Sequence, residues 1–307
     1  SNFAENHLSI ENLNHAYGDL KVLEQVSFNL MKGEILGILG PNGSGKTTIL
    51  SFLCGLLKAD SGTLTLDGKA LPPSSPAWRA QLGTVFQQPS LDPLLTVEEN
   101  LSLVCRLHGY RGHAVEERVG AALKQADLLD RAGSVVKTLS GGMKRRIDLA
   151  RGVIHRPTVL LLDEPTAGLD EPSYRRTWSF LERIRKEDGV TIVLATHRVD
   201  EAERCDRLLV MNRGRLVKSA TPDALRQLLS EDVVELSGPD LSLLADRVRE
   251  EFGLESIEEG RNLLLECDSG HQLIPRLVEH LGSESLASVA LRRASLADAF
   301  IKVTGDS

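Results

Sequence analysis

Gly40-Pro41-Asn42-Gly43-Ser44-Gly45-Lys46-Thr47 is the stretch on which the fold turns. It follows GEILGILG (residues 33–40), an apolar run of buried-strand length, and opens residues 47–57, whose apolar positions have helical spacing. A glycine-rich turn there lets consecutive main-chain N–H groups face an anion, and the helix start adds partial positive charge. The GxxxxGK[ST] spacing supplies Lys46 to neutralise β- and γ-phosphates and the Thr47 hydroxyl to ligate Mg²⁺.

Two other stretches extend this reading. Val159–Leu162 is a second aliphatic strand, and it ends in Asp163 and Glu164. A carboxylate beside a phosphate loop is where Mg²⁺ needs its next protein ligand, directly or through water, and Asp163 is assigned to it. Glu164 points elsewhere and can polarise an attacking water as general base. Taken alone, the two acids also fit a solvated strand end. Leu139-Ser140-Gly141-Gly142-Met143 places a natural N-cap before two glycines that leave N–H groups open at a helix start. Alone it fits a merely capped helix. Beside the first loop it is a second anion-binding end, and together they point to a nucleotide held from both sides.

The rest of the chain alternates strand and helix patterns. Residues 8–30 read as short strands around the Tyr17-Gly18-Asp19 turn, and TLTLDG (63–68) as another. Helical pieces are expected near Trp78–Leu82, across 96–129 with a break at 109–113, over Gly141–Ile154 and near Tyr174–Lys186, with a third buried strand at Val190–Ala195. This order predicts an α/β fold with a mostly parallel sheet covered on both faces. After residue 230 the pattern is βαββαβ plus a final helix, the split arrangement of ferredoxin-like domains.

Composition bounds the function. The 307 residues suggest about two domains. The net charge of −7 makes binding of nucleic acid by bulk electrostatics a poor expectation. Residues 231–307 hold 16 acids and 7 bases, whereas residues 1–230 are nearly neutral, so a boundary is expected near 230. Glu250, Glu251, Glu255, Glu258 and Glu259 read as a solvated face. No apolar run reaches membrane-spanning length, and SNFAENHLSIEN lacks the basic start and apolar stretch of a secretory signal. Four scattered cysteines without a CxxC pair fit reduced thiols in a cytosol.

The phosphate loop, LSGG, the LLLDE strand and a later histidine, with Asp163 lying 117 positions after Lys46, resemble the nucleotide-binding subunit of ABC transporters over residues 8 to about 228. The resemblance implies an ABC-type P-loop fold with a helical subdomain at about 88–157, in a cassette of residues 1–230 followed by a small acidic domain at 231–307. It implies an ATP and Mg²⁺ site formed by residues 40–48, Thr48 included, with Tyr17 stacking on adenine. It further makes Gln87 the glutamine that senses Mg²⁺ and the membrane partner, Asp170 the acid of the loop between two cassettes, and His197 the switch that contacts the γ-phosphate. Residues 139–143 then close on the ATP of a second copy, in a head-to-tail dimer. LSGGMKRR and the ending LRRASLADAFIKVTG resemble the daunorubicin-type drug-resistance branch of exporters.

The implied function is ATP hydrolysis that drives a separate polytopic permease, exporting drug-like, lipid or other small cargo, from the cytoplasmic face of the membrane. The alternative is a soluble ATPase of the same type acting on ribosomes or DNA; one cassette, no heptad arms and no cysteine-rich module speak against it. Lys144, Arg145 and Arg146 are expected to face solvent or a neighbouring phosphate. The acidic domain is expected to serve regulation or assembly.

Overall fold

Alternating apolar residues build the first two strands of the computed structural model, which describes residues 6–229 and 232–305. These are β1 (Asn6–Tyr17) and β2 (Leu20–Met31), paired antiparallel across the Gly18-Asp19 turn. Leu8 and Ile10 face inward, a register shift between Ile10 and Leu13 changes the parity, and Leu13 and His15 continue the buried face. The wholly buried β3 (Ile35–Leu39) leads through the glycine-rich loop into α1 (Lys46–Leu53). Then follow β4 (Ser61–Leu66), β5 (Lys69–Ala70), α2 (Pro76–Ala80) and β6 (Leu82–Val85). Leu82, expected at the end of a helix, instead begins this edge strand, because the helix stops at Ala80 and Leu82 pairs with Val159.

Three helices separate β6 from the next strand: α3 (Val97–Leu107), α4 (His113–Gln125) and α5 (Gly141–Val153). Thr96 and Glu99 close a reciprocal capping box at the start of α3. The unit continues with β7 (Val159–Asp163), α6 (Glu171–Asp188), β8 (Thr191–Thr196), α7 (Val199–Ala202), β9 (Arg207–Asn212) and β10 (Arg215–Ala220). One sheet has the order β2-β1-β4-β5 and is antiparallel; the other runs β10-β9-β3-β8-β7-β6, with β9 through β6 parallel. Leu8, Ile10, Leu30, Ile38, Ile49, Leu161 and the fully buried Trp78 share one core.

The chain divides into two compact units between Ser219 and Ala220, ahead of the charge break at 230 and 231, two residues that lie outside the described ones. The helix α8 (Pro222–Arg226) belongs with the second unit, where it packs on the C-terminal helix and Lys302 Nζ donates to the Leu228 carbonyl at 3.2 Å. Residues 1–5, the first part of the stretch SNFAENHLSIEN read as lacking a secretory signal, also lie outside the described residues. The second unit continues with β11 (Asp232–Ser237), α9 (Leu241–Phe252), β12 (Ser256–Glu259), β13 (Asn262–Cys267), α10 (Gly270–Ser285, interrupted at Gly282), β14 (Ser288–Arg293) and α11 (Leu296–Thr304). Its antiparallel sheet has the order β12-β13-β11-β14, and Val234, Leu236, Leu244, Leu265 and Leu277 form a core of its own. All four cysteines are free thiols.

Candidate nucleotide site

Parallel strands end on one side, so the segments that leave their carboxyl ends gather there. In the order β3-β8-β7-β6 these segments are the 40–47 loop, His197, Asp163 with Glu164, and Gln87. Widely separated parts of the sequence thus converge on one line of strand ends.

The loop itself is shaped by Gly45. Its φ of +104° suits glycine, and a side chain there would strike Leu23 and the Val22 carbonyl. As the N-cap of α1 it offers no side-chain acceptor, which leaves the first N–H groups of the helix open to an anion. Lys46 is buried, and its Nζ donates to the carbonyls of Gly40 and Pro41 at 2.8 and 2.9 Å. Burial holds its pKa below the usual lysine value, opposed by the charges of Glu164 and Asp163. Asn42, Gly43 and Thr47 are exposed, Ser44 is buried against Gly40, and Thr48 is half-buried.

The Thr47 hydroxyl lies 3.4 Å from Asp163 Oδ2. Burial and the neighbouring charge of Glu164 push the Asp163 pKa up, partly offset by Thr47 and Lys46. The Arg145 guanidinium acts in the same sense as Lys46 on Asp163. Glu164 turns away from it because its backbone is left-handed, with φ of +46°, and its N–H donates to the Ala195 carbonyl at 2.9 Å. Its side chain meets His197 Nδ1 at 2.6 Å through one oxygen and the Gln87 amide at 3.0 Å through the other. His197 and Gln87 are exposed, so the carboxylate is held at the edge of open space.

The structure brings together Lys46, Thr47, Gln87, Asp163, Glu164 and His197. Tyr17 and residues 139–143 are not hydrogen-bonded to that group. Tyr17 is 55% exposed, and His15 meets its ring in a T-shaped contact at 4.6 Å between centroids. Ser140 caps α5, accepting from the Met143 N–H at 3.2 Å, while Ser140 and Gly141 stay exposed. Gly142 is buried, and a side chain on it would collide with Ser173 in the first turn of α6, the helix capped by Asp170. The segments around residues 140 and 170 are therefore packed against each other.

One expectation is corrected. Arg145 and Arg146 do not face solvent; they are 4% and 7% exposed. The Arg146 guanidinium donates to the Ala126 carbonyl at 2.6 Å, and Arg145 donates to carbonyls at the ends of β6 and β7. The inward helix face carries alternating charges, Arg145, Asp148 and Arg151, spaced three residues apart, so the buried carboxylate has a cation on either side. That spacing was visible in the sequence. Buried Glu201 was missed as well: it accepts from the Thr166 hydroxyl and so joins the segments after β7 and β8.

The family model described as ABC transporter matches residues 23–167. The Nod factor export ATP-binding protein I of Burkholderia orbicola is 39% identical over 300 residues, covering 97% of each chain. The protein of that name from Ralstonia nicotianae is 37% identical, covering 97% of this chain and 94% of its own. Among solved structures, cbiO1 from Clostridium perfringens, part of the ABC transporter complex cbiONQ, aligns with a TM-score of 0.68 at 30% identity, covering 81% of this chain and 96% of that one. The dimeric post-hydrolysis cassette MJ0796, bound to ADP and Pi, aligns with a TM-score of 0.63 at 29% identity over 70% and 98%. With strand ends, loop and relatives in agreement, this chain belongs to the ABC transporter family as an ATP-binding subunit, an ATPase whose hydrolysis is coupled to transport.

Proposed function

We propose that two copies of the chain clamp ATP head to tail, hydrolyse it at Glu164, and drive a separate membrane permease in the direction of export. The observation that carries the chemistry is the Glu164 carboxylate, held by His197 at 2.6 Å and by Gln87 at 3.0 Å. In this reading Glu164 takes a proton from the attacking water as its oxygen bonds to the γ-phosphorus. The bond to the bridging oxygen then breaks and leaves ADP. Lys46 and the open N–H groups of the 40–48 loop hold the phosphates, His197 steadies the γ-phosphate, and exposed Tyr17 stacks on the base.

Thr47, Asp163 and Gln87 present hydroxyl, carboxylate and amide oxygens, a hard donor set that fits Mg²⁺ bound together with substrate phosphates. The ion, when bound, supplies charge neutralisation at the phosphates.

The exposed helix end at Ser140 and Gly141 supports closure on the ATP of a second copy, with Asp170 beside that interface. A relative solved as a dimer with ADP and Pi agrees with such pairing. Curated relatives named for Nod factor export match along 97% of the chain, which supports export as the direction of transport, and the drug-resistance resemblance of LSGGMKRR supports drug-like, lipid or other small cargo. No helix among the described residues is long and apolar enough to cross a membrane. The match to ABC transporter ATP-binding proteins supports a peripheral place at the cytoplasmic face, docked on a permease. Residues 231–307 are assigned to assembly or regulation of that complex.

Glu164→Gln tests the reading. With Mg²⁺ and ATP it is expected to bind nucleotide, lose hydrolysis by about a hundredfold or more, and accumulate a dimer by light scattering. A monomer that still hydrolyses would overturn it. Affinity capture of the ATP-locked variant from native membranes is expected to recover a polytopic membrane protein.

A further inference from the structure

The buried face of α5 carries Arg145, Asp148 and Arg151, and Asp148 is fully buried. Charges survive inside a fold only when paired and hydrogen-bonded. Asp148 Oδ1 accepts from Arg151 Nε at 2.7 Å and from the Ser90 N–H at 3.4 Å, while Arg151 also donates to the Thr84 carbonyl. Arg145 lies 3.8 Å from the other Asp148 oxygen and directs its donors at the main chain instead. Its Nε donates to the Pro165 carbonyl at 2.6 Å and Nη1 to the Phe86 carbonyl at 2.5 Å, while Nη2 reaches the carbonyls of both Asp163 and Glu164 at 3.2 Å. These carbonyls belong to the turn that bears the carboxylate pair and to the residue just before Gln87. A planar guanidinium fixes such a set in one geometry, which a point-charge ammonium cannot do.

We propose that Arg145 is a positioning residue: it locks the Asp163–Pro165 turn and the Gln87 loop to the helix that begins at Ser140. The start of that helix serves the nucleotide of the other copy, whereas Glu164 serves its own. The seating of α5 on one ATP is therefore transmitted to the carboxylate at the other. This inference rests on the roles proposed above for Glu164 and residues 139–143.

The test compares full-length Arg145→Lys, Arg145→Gln and Arg145→Met with the unaltered chain in Mg²⁺–ATP hydrolysis, scaled to the ATP-binding molecules found by titration. Small misplacement of reacting groups costs up to about a hundredfold. Each variant is accordingly expected to lose about ten- to a hundredfold in kcat, with KM for ATP within about threefold. Arg145→Lys keeps the charge beside Asp148, so its melting temperature is expected to stay within about 3 °C while its kcat is not rescued. Should the methionine variant not fold, the lysine variant decides alone. Full kcat with lysine, or rates per binding molecule that match the unaltered chain, would overturn the proposal. Glu164→Gln is run alongside. Hydrolysis persisting in it would overturn the role of Glu164 and the positioning role with it. Abolished hydrolysis there, with normal rates in Arg145→Lys, would overturn Arg145 alone.

Discussion

Glu164 and His197 stand 33 positions apart in sequence, yet their side chains meet at 2.6 Å because β7 and β8 are parallel neighbours with Asp163 opposite Ala195. The contact is a charge-assisted hydrogen bond from the imidazole Nδ1–H to a carboxylate oxygen, and the Gln87 amide occupies the other oxygen. Glu164 is held from both sides. Replacing His197 with Ala is expected to lower kcat by about a hundredfold, with ATP binding retained. Adding Gln87→Ala to His197→Ala is expected to cost less than the two single losses combined, since both act on one carboxylate. Steady-state kinetics of the three variants checks this.

Lys46 is expected to matter for affinity before rate. Its ammonium is buried against the Gly40 and Pro41 carbonyls, where it waits at the phosphate loop. Hydrogen bonds to charged groups contribute about 1.5–3 kcal/mol, so Lys46→Ala is expected to weaken ATP binding by about ten- to a hundredfold. Isothermal titration with ATP measures it, and unchanged affinity would remove Lys46 from the site.

Asp163 is a cost to the nucleotide-free fold. Its pKa is raised in the fold by burial and by the charge of Glu164, so the native state holds the proton more tightly than the unfolded chain does. The ionised form is then a net cost above the folded pKa, a cost relieved as the pH falls through it. Asp163→Asn removes the cost and is expected to raise the melting temperature of the nucleotide-free protein at pH 7.5, each kcal/mol being worth about 2–4 °C. The gain should shrink on acidification, and hydrolysis should be lost. Calorimetry across pH, with an activity assay, checks both.

His155 sets an acid limit on the same unit. Its Nε2–H donates to the Leu82 carbonyl at 3.0 Å, its Nδ1 is buried without a partner, and its ring stacks on His108 at 3.9 Å. Burial, with help from His108, Arg118 and Arg151, pushes its pKa down to about 4. The unfolded chain then binds the proton more readily, so stability is full above the unfolded value and falls as pH drops toward 4. The loss is expected to approach about 3 kcal/mol. His155→Gln is expected to flatten that decline, as measured by urea unfolding between pH 7 and pH 4.5.

Much of this architecture was legible because each short apolar run had punctuation. GEILGILG ended in a loop of defined spacing, VLLL ended in two acids, and βαββαβ in the last quarter matched the sheet found there. The strands β9 and β10 went unread because RLLVMN and RLVKSA have mixed patterns, and their turn is set by left-handed Arg213 and Gly214 rather than by an asparagine–glycine pair. The charges on α5 misled for another reason. Basic residues near a helix start normally face water, but Arg145 stays inside beside the inward Asp148, and Arg146 through the Ala126 carbonyl. Hydrogen bonds to main-chain carbonyls, such as those of Arg145, leave no side-chain pattern in a sequence at all.

The left-handed backbone at Glu164 carries an energetic corollary. A non-glycine residue there stores about 1 kcal/mol or more of conformational penalty, and glycine would relax it while keeping the N–H bond to Ala195. Glu164→Gly would, however, lose the bonds from His197 and Gln87, worth about 1.5–3 kcal/mol for a charged acceptor, so it is expected to leave the fold no sturdier. The strained turn is thus offset by the very side chain it presents, which is anchored on both of its oxygens.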